Sequence, residues 1–140
     1  MFLSKIFGIS SLLAAVSATT VSYDVGYDDP SRSLAVVSCS DGANGLMTRY
    51  GWQNQGQIPN FPYIGGASAV GGWNSPACGT CWAATYNGRT IHILAIDHAS
   101  NGLNIGLRAM NDLTNGQAVQ LGRVDAQVRE VPRSNCGIRN

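Results

Sequence analysis

The sequence predicts a small, turn-rich, mainly β domain closed as a barrel, and three observations carry that expectation. An Asn-Gly pair splits a clear hairpin, several short strand-like runs alternate with chain breakers, and glycine is abundant (17 residues) while only 12% of residues are charged. Many short strands, frequent glycines and one small helical stretch are the pattern of small barrels.

Taken in chain order, the first stretch is MFLSKIFGISSLLAAVSATT. One cation, Lys5, precedes an apolar run from Ile6 to Val16 and the small residues Ser17 and Ala18, the layout of a secretory leader. The run is about 11 residues against the roughly 20 needed to span a bilayer. The expectation is a signal peptide over residues 1–18 and a single exported domain over residues 19–140. VSYDVGY (Val21–Tyr27) and SLAVVSCS (Ser33–Ser40) then read as strands split by the turn-rich DDPSR. From Asp41 to Pro76 glycine, proline and asparagine break every period, which predicts loops with short strands at most.

WAATYNGRTIHILAID is the strongest local signal. Asn87-Gly88 favours the type I′ turn of a two-residue hairpin, in which both central residues need positive φ. After the turn, Ile91, Ile93 and Ala95 share the face that ends in Asp97, and His92, Leu94 and Ile96 share the other. Both faces are largely apolar, so this strand is central. GLNIGL reads as a short strand, RAMNDLTNG as one or two helical turns ending near Gly116, and VQLGRVDAQVREVP as a last strand terminated by Pro132.

Charge narrows the function classes. Lys5 leaves with the expected leader, so the eight remaining cations are arginines facing eight acids. Nothing concentrates positive charge, which argues against nucleic acid or an anionic membrane as partner. Asp125 is placed to pair with Arg123 or Arg129.

Cys39, Cys78, Cys81 and Cys136 are the four cysteines, and four allow three connectivities. The close pair in PACGTCW invites a metal or redox reading. Zinc needs a second close pair or nearby histidines, whereas the other two cysteines are remote and the histidines are His92 and His98. A redox pair opens a helix, whereas CGTC runs into strand-like residues. In an exported chain the two cysteines are neighbouring disulfide anchors, each reaching a distant partner. Each bridge restrains the unfolded chain by roughly 3–4 kcal/mol. No metal or cofactor is expected.

Asp97, at the end of an apolar strand, is the first candidate for chemistry. It sits either at the lip of a groove or as a strand-end cap taking backbone N–H groups. His98, adjacent in an extended chain, points to the opposite side as a surface histidine. Glycosidic hydrolysis normally needs two carboxyl groups at a defined separation, and none of the other seven acids stands out as the second. Binding groups are easier to find. Tyr50, Trp52, Phe61, Tyr63 and Trp73 crowd the irregular segment among Asn, Gln and Gly residues, as recognition of a neutral sugar polymer requires. The alternative is a satellite core beneath the loops, above all for Phe61 and Trp73. Trp82, inside a strand, reads as core.

Taken together, VSYDVGYDD, SCSDGANGLMTRYG, IPNFPYIGGASAVGGWNSPACGTCW, TYNGRTIHILAIDHASNGLNIGLRAMNDLTNGQA and LGRVDAQV, with the final Cys136, resemble the cerato-platanin family of small secreted fungal proteins. The resemblance covers Val21–Gly137. It implies a six-stranded double-ψ β-barrel related to the catalytic-like domain of expansins, with one or two short helices. It also implies pairing of Cys39 with Cys78 and Cys81 with Cys136.

Functionally, the resemblance implies a non-catalytic protein of the fungal wall or culture fluid. It would bind chitin or N-acetylglucosamine oligomers and related wall polysaccharides, loosen them without hydrolysis, and act on plant cell-surface components as an elicitor or effector. Asp97 matches the family's expansin-like aspartate, and the family's shallow groove places Asn104 beside it. Tyr50 and Trp73 complete the expected sugar contacts. Asn44 departs from relatives with histidine before GLM. Two alternatives remain: a weak glycan-cleaving enzyme with Asp97 as lone general acid, and a surface-active protein that self-assembles at interfaces through Ile64, Val70 and Trp73.

Overall fold

The computed structural model describes residues 17–139. Six strands close into a barrel: β1 (Ser17–Tyr23), β2 (Ile64–Ala67), β3 (Cys81–Tyr86), β4 (Arg89–His98), β5 (Leu103–Ile105) and β6 (Arg123–Val131). Their order around the barrel is β1-β5-β2-β4-β3-β6. Two parallel pairs, β1 with β5 and β2 with β4, are joined by antiparallel neighbours. This is the predicted double-ψ barrel, and closure leaves no sheet edge exposed. Three short α-helices decorate it: α1 (Leu46–Tyr50), α2 (Leu107–Thr114) and α3 (Ala118–Leu121). The expected leader lies outside the described residues except for Ser17 and Ala18, which pair with Val128 and Gln127.

The hairpin forms as predicted. Asn87 and Gly88 take φ of 48° and 80°, and β3 and β4 pair from Tyr86↔Arg89 to Cys81↔Leu94. Ile91 and the whole run from Ile93 to Ile96 are buried, so β4 is central with both faces covered. β6 alternates instead: Val124, Ala126 and Val128 point inward, while Arg123, Asp125, Gln127 and Arg129 are exposed. Between β4 and β5 the chain turns at Gly102 (φ 51°), where a Cβ would collide with the carbonyl oxygen of Thr20. Only glycine fits there.

Two predicted strands are corrected. Ser33–Ser40 is not a strand: the Ser33 hydroxyl accepts from the Ala35 amide and starts a 3-10 turn over Leu34–Val36. Capping of this kind diverts a β-prone run from ladder pairing. In VSYDVGY the strand stops at Tyr23, because Asp24 accepts from the Gly26 amide and opens a 3-10 turn over Val25–Asp28. The last predicted strand is likewise shorter at its start, since α3 occupies Ala118–Leu121.

Helix α2 begins at Gly106, which has no capping side chain. Asp28, 79 residues before Leu107, takes that role, with Oδ2 and Oδ1 accepting from the Leu107 and Arg108 amides at 2.7 and 3.0 Å. A carboxylate at a helix N-terminus satisfies orphan donors and favours the dipole. Gln55, fully buried, ties the same region down by donating to the carbonyls of Gly26 and Asp29.

Cys39 is bonded to Cys78 and Cys81 to Cys136, with Cα separations of 5.5 and 5.8 Å. PACGTCW is therefore the junction of two covalent ties. Ile64 and Val70, expected at the surface in the interfacial alternative, are fully buried. Irregular segments can bury apolar side chains as well as strands do, and position in a loop is no guide to exposure. Asp125 makes no ion pair; the pair found among the described residues is Arg89–Asp112.

Replacing Cys81 and Cys136 together by alanine is expected to lower stability by about 4 kcal/mol. Urea unfolding followed by circular dichroism measures it. A loss below about 1 kcal/mol would contradict the restraint assigned to this bridge.

Candidate functional site

Asp97 stands near the end of β4, and the strand is irregular there. Gly65 pairs with Ala95, but Gly66 pairs with Asp97 and skips Ile96. Such a bulge re-aims a side chain, here that of Asp97. Gly66 also pairs with Asn104, Asn104 with Ser22, and Ser22 with Arg123. Residues paired directly across neighbouring strands share a sheet face. Asp97, Asn104, Ser22 and Arg123 therefore form one lateral row on the outside of the barrel, with glycine in the second place.

The carboxylate is held by three donors. Oδ1 accepts from the Ser38 and His98 amides, each at 2.9 Å, and Oδ2 accepts from the Tyr27 hydroxyl at 2.8 Å. Both alternatives weighed for Asp97 thus hold in part: it takes the next residue's N–H like a strand-end cap, and it belongs to a surface row. A carboxylate offers roughly four acceptor positions. Three are used, leaving one for a ligand hydroxyl.

Tyr27 is buried, at 3% exposure. Burial, and after it the negative charge of Asp97, pushes its hydroxyl well above the ordinary tyrosine range. It remains a donor at any pH the fold normally meets. The Arg32 guanidinium lies 5.4 Å from the centre of the Tyr27 ring and backs it.

Beside the row opens a cleft of about 300 Å³ whose walls include Ser22, His98, Asn101, Asn104 and Arg123. The Ser22 hydroxyl donates to Asn104 Oδ1 at 3.0 Å, which leaves the Asn104 amide hydrogens for a ligand. His98 is exposed as expected, and its Nδ1 lies 2.6 Å from the Val70 carbonyl oxygen. A carbonyl only accepts, so Nδ1 carries the hydrogen of this bond. The cleft walls thus mix donors and acceptors and include no carboxylate among the described residues, with Asp97 standing in the row beside them.

Of the four predicted sugar contacts, the structure brings Asp97 and Asn104 together, two strands apart. Asn104 lines the cleft, Asp97 stands in the row beside it, and Tyr50 and Trp73 do not line it. Tyr50 is half-buried and stacks on Trp52, with ring centres 4.4 Å apart. Trp73 is 62% exposed. Its indole N–H donates to Asp41 at 2.7 Å, and Asn44 and Asn74 bond across the two loops. An added Cβ at Gly42 would meet the Trp73 ring at 2.9 Å, so the ring lies against bare backbone. Trp73 is a fixed exposed platform rather than satellite core, whereas Phe61 does pack on the core. Trp82 is half-buried against the core, its N–H satisfied by Thr80.

Sequence reasoning missed Tyr27, Ser22 and Arg123. Tyr27 lies in a turn with no periodicity to mark it. The other two join Asp97 only through strand register, which no local pattern encodes.

A family model described as Cerato-platanin matches residues 19–138. The heat-stable 19 kDa antigen of Coccidioides immitis is 48% identical over 130 residues, covering 93% of this chain and 88% of that protein. Among solved structures, cerato-platanin 3 from M. perniciosa is 44% identical with a TM-score of 0.83, covering 87% of this chain and 100% of its own. The solution structure of the fungal elicitor cerato-platanin is 39% identical with a TM-score of 0.75, covering 84% of this chain and 95% of its own.

Replacing Tyr27 by phenylalanine is expected to cost about 2 kcal/mol at neutral pH, the worth of a hydrogen bond to a charged group. The raised hydroxyl also sets a pH dependence. Its folded value exceeds the unfolded value of about 10, so its contribution is complete below that pH and is lost as pH rises further. Urea midpoints of the wild type should fall above about pH 10, and the Tyr27→Phe midpoint should fall less steeply. Equal alkaline slopes would contradict this assignment.

Proposed function

Given that this chain belongs to the cerato-platanin family, we propose that it is a secreted, non-catalytic glycan-binding protein that plant defence detects as an elicitor. Its ligands are chitin or N-acetylglucosamine oligomers and related wall polysaccharides, which it loosens without cutting. The observation that carries the reading is the row Asp97–Asn104–Ser22–Arg123, of which the last three line a cleft of about 300 Å³. Sugar hydroxyls are donor and acceptor at once. The row offers them an acceptor at Asp97, donors at Asn104 and Arg123, and a rigid backing that costs little entropy on binding.

The same contacts weigh against the glycan-cleaving alternative. Hydrolysis by paired acids needs carboxyl groups about 5–9.5 Å apart across the bond. No acid is among the described residues that line the cleft, and both oxygens of Asp97, which stands beside it, already accept hydrogen bonds. A general acid must instead present a proton to the substrate. The surface-active alternative loses two of its three residues, Ile64 and Val70, to the core.

Secretion is supported by the leader pattern and by two disulfides, which persist in oxidising surroundings. No helix among the described residues is long and apolar enough to cross a membrane. The elicitor role rests on likeness to a fungal elicitor, and a likeness to a named antigen agrees with release to the outside.

Titration of the ¹⁵N-labelled protein with tri-N-acetylchitotriose tests the reading. Amide shifts are expected over residues 97–104 and around Ser22 and Arg123. Asn104→Ala and Arg123→Ala should each weaken binding about tenfold, the worth of one hydrogen bond or somewhat more. Unmoved signals along the row at millimolar sugar would end the claim.

A further inference from the structure

A second set of polar clefts lies at the other end of β4. One, of about 400 Å³, is lined by Tyr86, Asn87, Arg89, Asn115 and Gln117 among others. The other, of about 240 Å³, includes Asn60, Tyr63, His92, Asp112 and Asn135. Arg89 belongs to the first wall and Asp112 to the second, so their contact is the ridge between the two clefts.

That ridge is fixed and electrically closed. Arg89 Nη2 lies 3.1 Å from Asp112 Oδ1, and Arg89 Nε donates to the Asp112 carbonyl oxygen at 2.7 Å. The Tyr63 hydroxyl donates to Asp112 Oδ2 at 2.8 Å. With both charges engaged, the clefts carry no net charge to hold an ion.

The remaining groups are amides and rings on rigid supports. Asn87 is the first turn residue of the hairpin and Asn115 the left-handed cap of α2, at φ of 48° and 56°. Each amide is therefore aimed by the end of a regular element, and both residues are exposed. Gln117 adds a third exposed amide, and the half-buried Tyr86 ring forms a wall. Across the ridge, Asn60 donates to the Tyr63 and His92 carbonyls at 2.9 Å each, which leaves its own amide oxygen as an acceptor. Asn135 likewise donates to the Pro132 carbonyl and keeps its oxygen.

Uncharged amides beside aromatic rings, in clefts of this size, fit a hydroxyl-rich neutral chain. We infer that the two clefts flanking the Arg89–Asp112 ridge form a second saccharide site, specific for neutral polysaccharide segments. Eight residue steps of β4 separate Arg89 from Asp97, about 26 Å of strand. The two sites thus engage separate segments, and the protein is bivalent toward a polysaccharide network. Holding two segments at once raises retention without tighter contact at either site. The second site stands on this geometry alone, whereas the bivalency also rests on sugar binding at the Asp97 row, as proposed above.

Calorimetry and amide-shift mapping with tetra-N-acetylchitotetraose and with cellotetraose test it. The expected result with at least one of these sugars is two equivalents bound by the wild type, with shifts both along residues 97–104 and at Asn87, Asn115 and Gln117. The double variant Asn115→Gly, Gln117→Ala keeps a residue that tolerates the left-handed cap. It should lose the second equivalent while weakening the first less than twofold. Asn104→Ala should do the converse. Shifts confined to residues 97–104, with one equivalent in the wild type, would overturn the second site and leave the first. Shifts confined to residues 86–117 that spare 97–104 would support it and remove the first. No shifts with either sugar would overturn both.

Discussion

The hydrogen bonds to Asp97 tie together three segments that strand pairing alone leaves separate. Tyr27 follows β1, Ser38 belongs to the long first connection, and His98 closes β4. One carboxylate therefore orders the loop of residues 24–40 against the barrel, and the bulge opposite Gly66 aims it. A half-buried carboxylate without these donors would be costly, and removal of any one donor leaves the others to hold a poorer arrangement. The outer row from Asp97 to Arg123 keeps its shape because that corner is fixed.

The disulfide junction works on the same corner from the covalent side. Cys39 follows Ser38 directly and is bonded to Cys78, while Cys81 is bonded to Cys136. The long connections before β2 and β3 are thus anchored near the end of β4 although they contain little regular structure. Trp73 gains from this: its loop is pinned by Asp41, Asn44 and Asn74, and the ring is exposed without being free to move. Preorganised, exposed aromatic and amide groups on a stiff barrel are what the proposed recognition of a polymer uses, whereas hydrolysis by paired acids would need a second acid.

The sequence made the barrel legible where its signals were local. Asn87-Gly88 marked the hairpin, the run VQLGRVDAQVREVP ended by Pro132 marked β6, and the apolar run after Arg89 marked a central strand. It misled where side chains compete with the backbone, as at Ser33 and Asp24, whose caps turn β-prone residues into 3-10 turns. Exposure in the long connections was unreadable, since Val70 is buried and Trp73 is not. The end of an apolar strand marked Asp97, and the family resemblance added Asn104 and the disulfide pairing. Tyr27, Ser22 and Arg123 remained hidden because their place beside Asp97 is set by register and long-range contact, over as many as 82 residues for Ser22 and Asn104.

The most direct test is an experimental structure of the protein with an N-acetylglucosamine oligomer bound. Sugar density is expected along Asp97, Asn104, Ser22 and Arg123, with a ligand hydroxyl on the remaining acceptor position of Asp97 and an uncut chain. An oligomer that bypasses this row, or one cleaved with an Asp or Glu facing Asp97 across the bond, would contradict this reading.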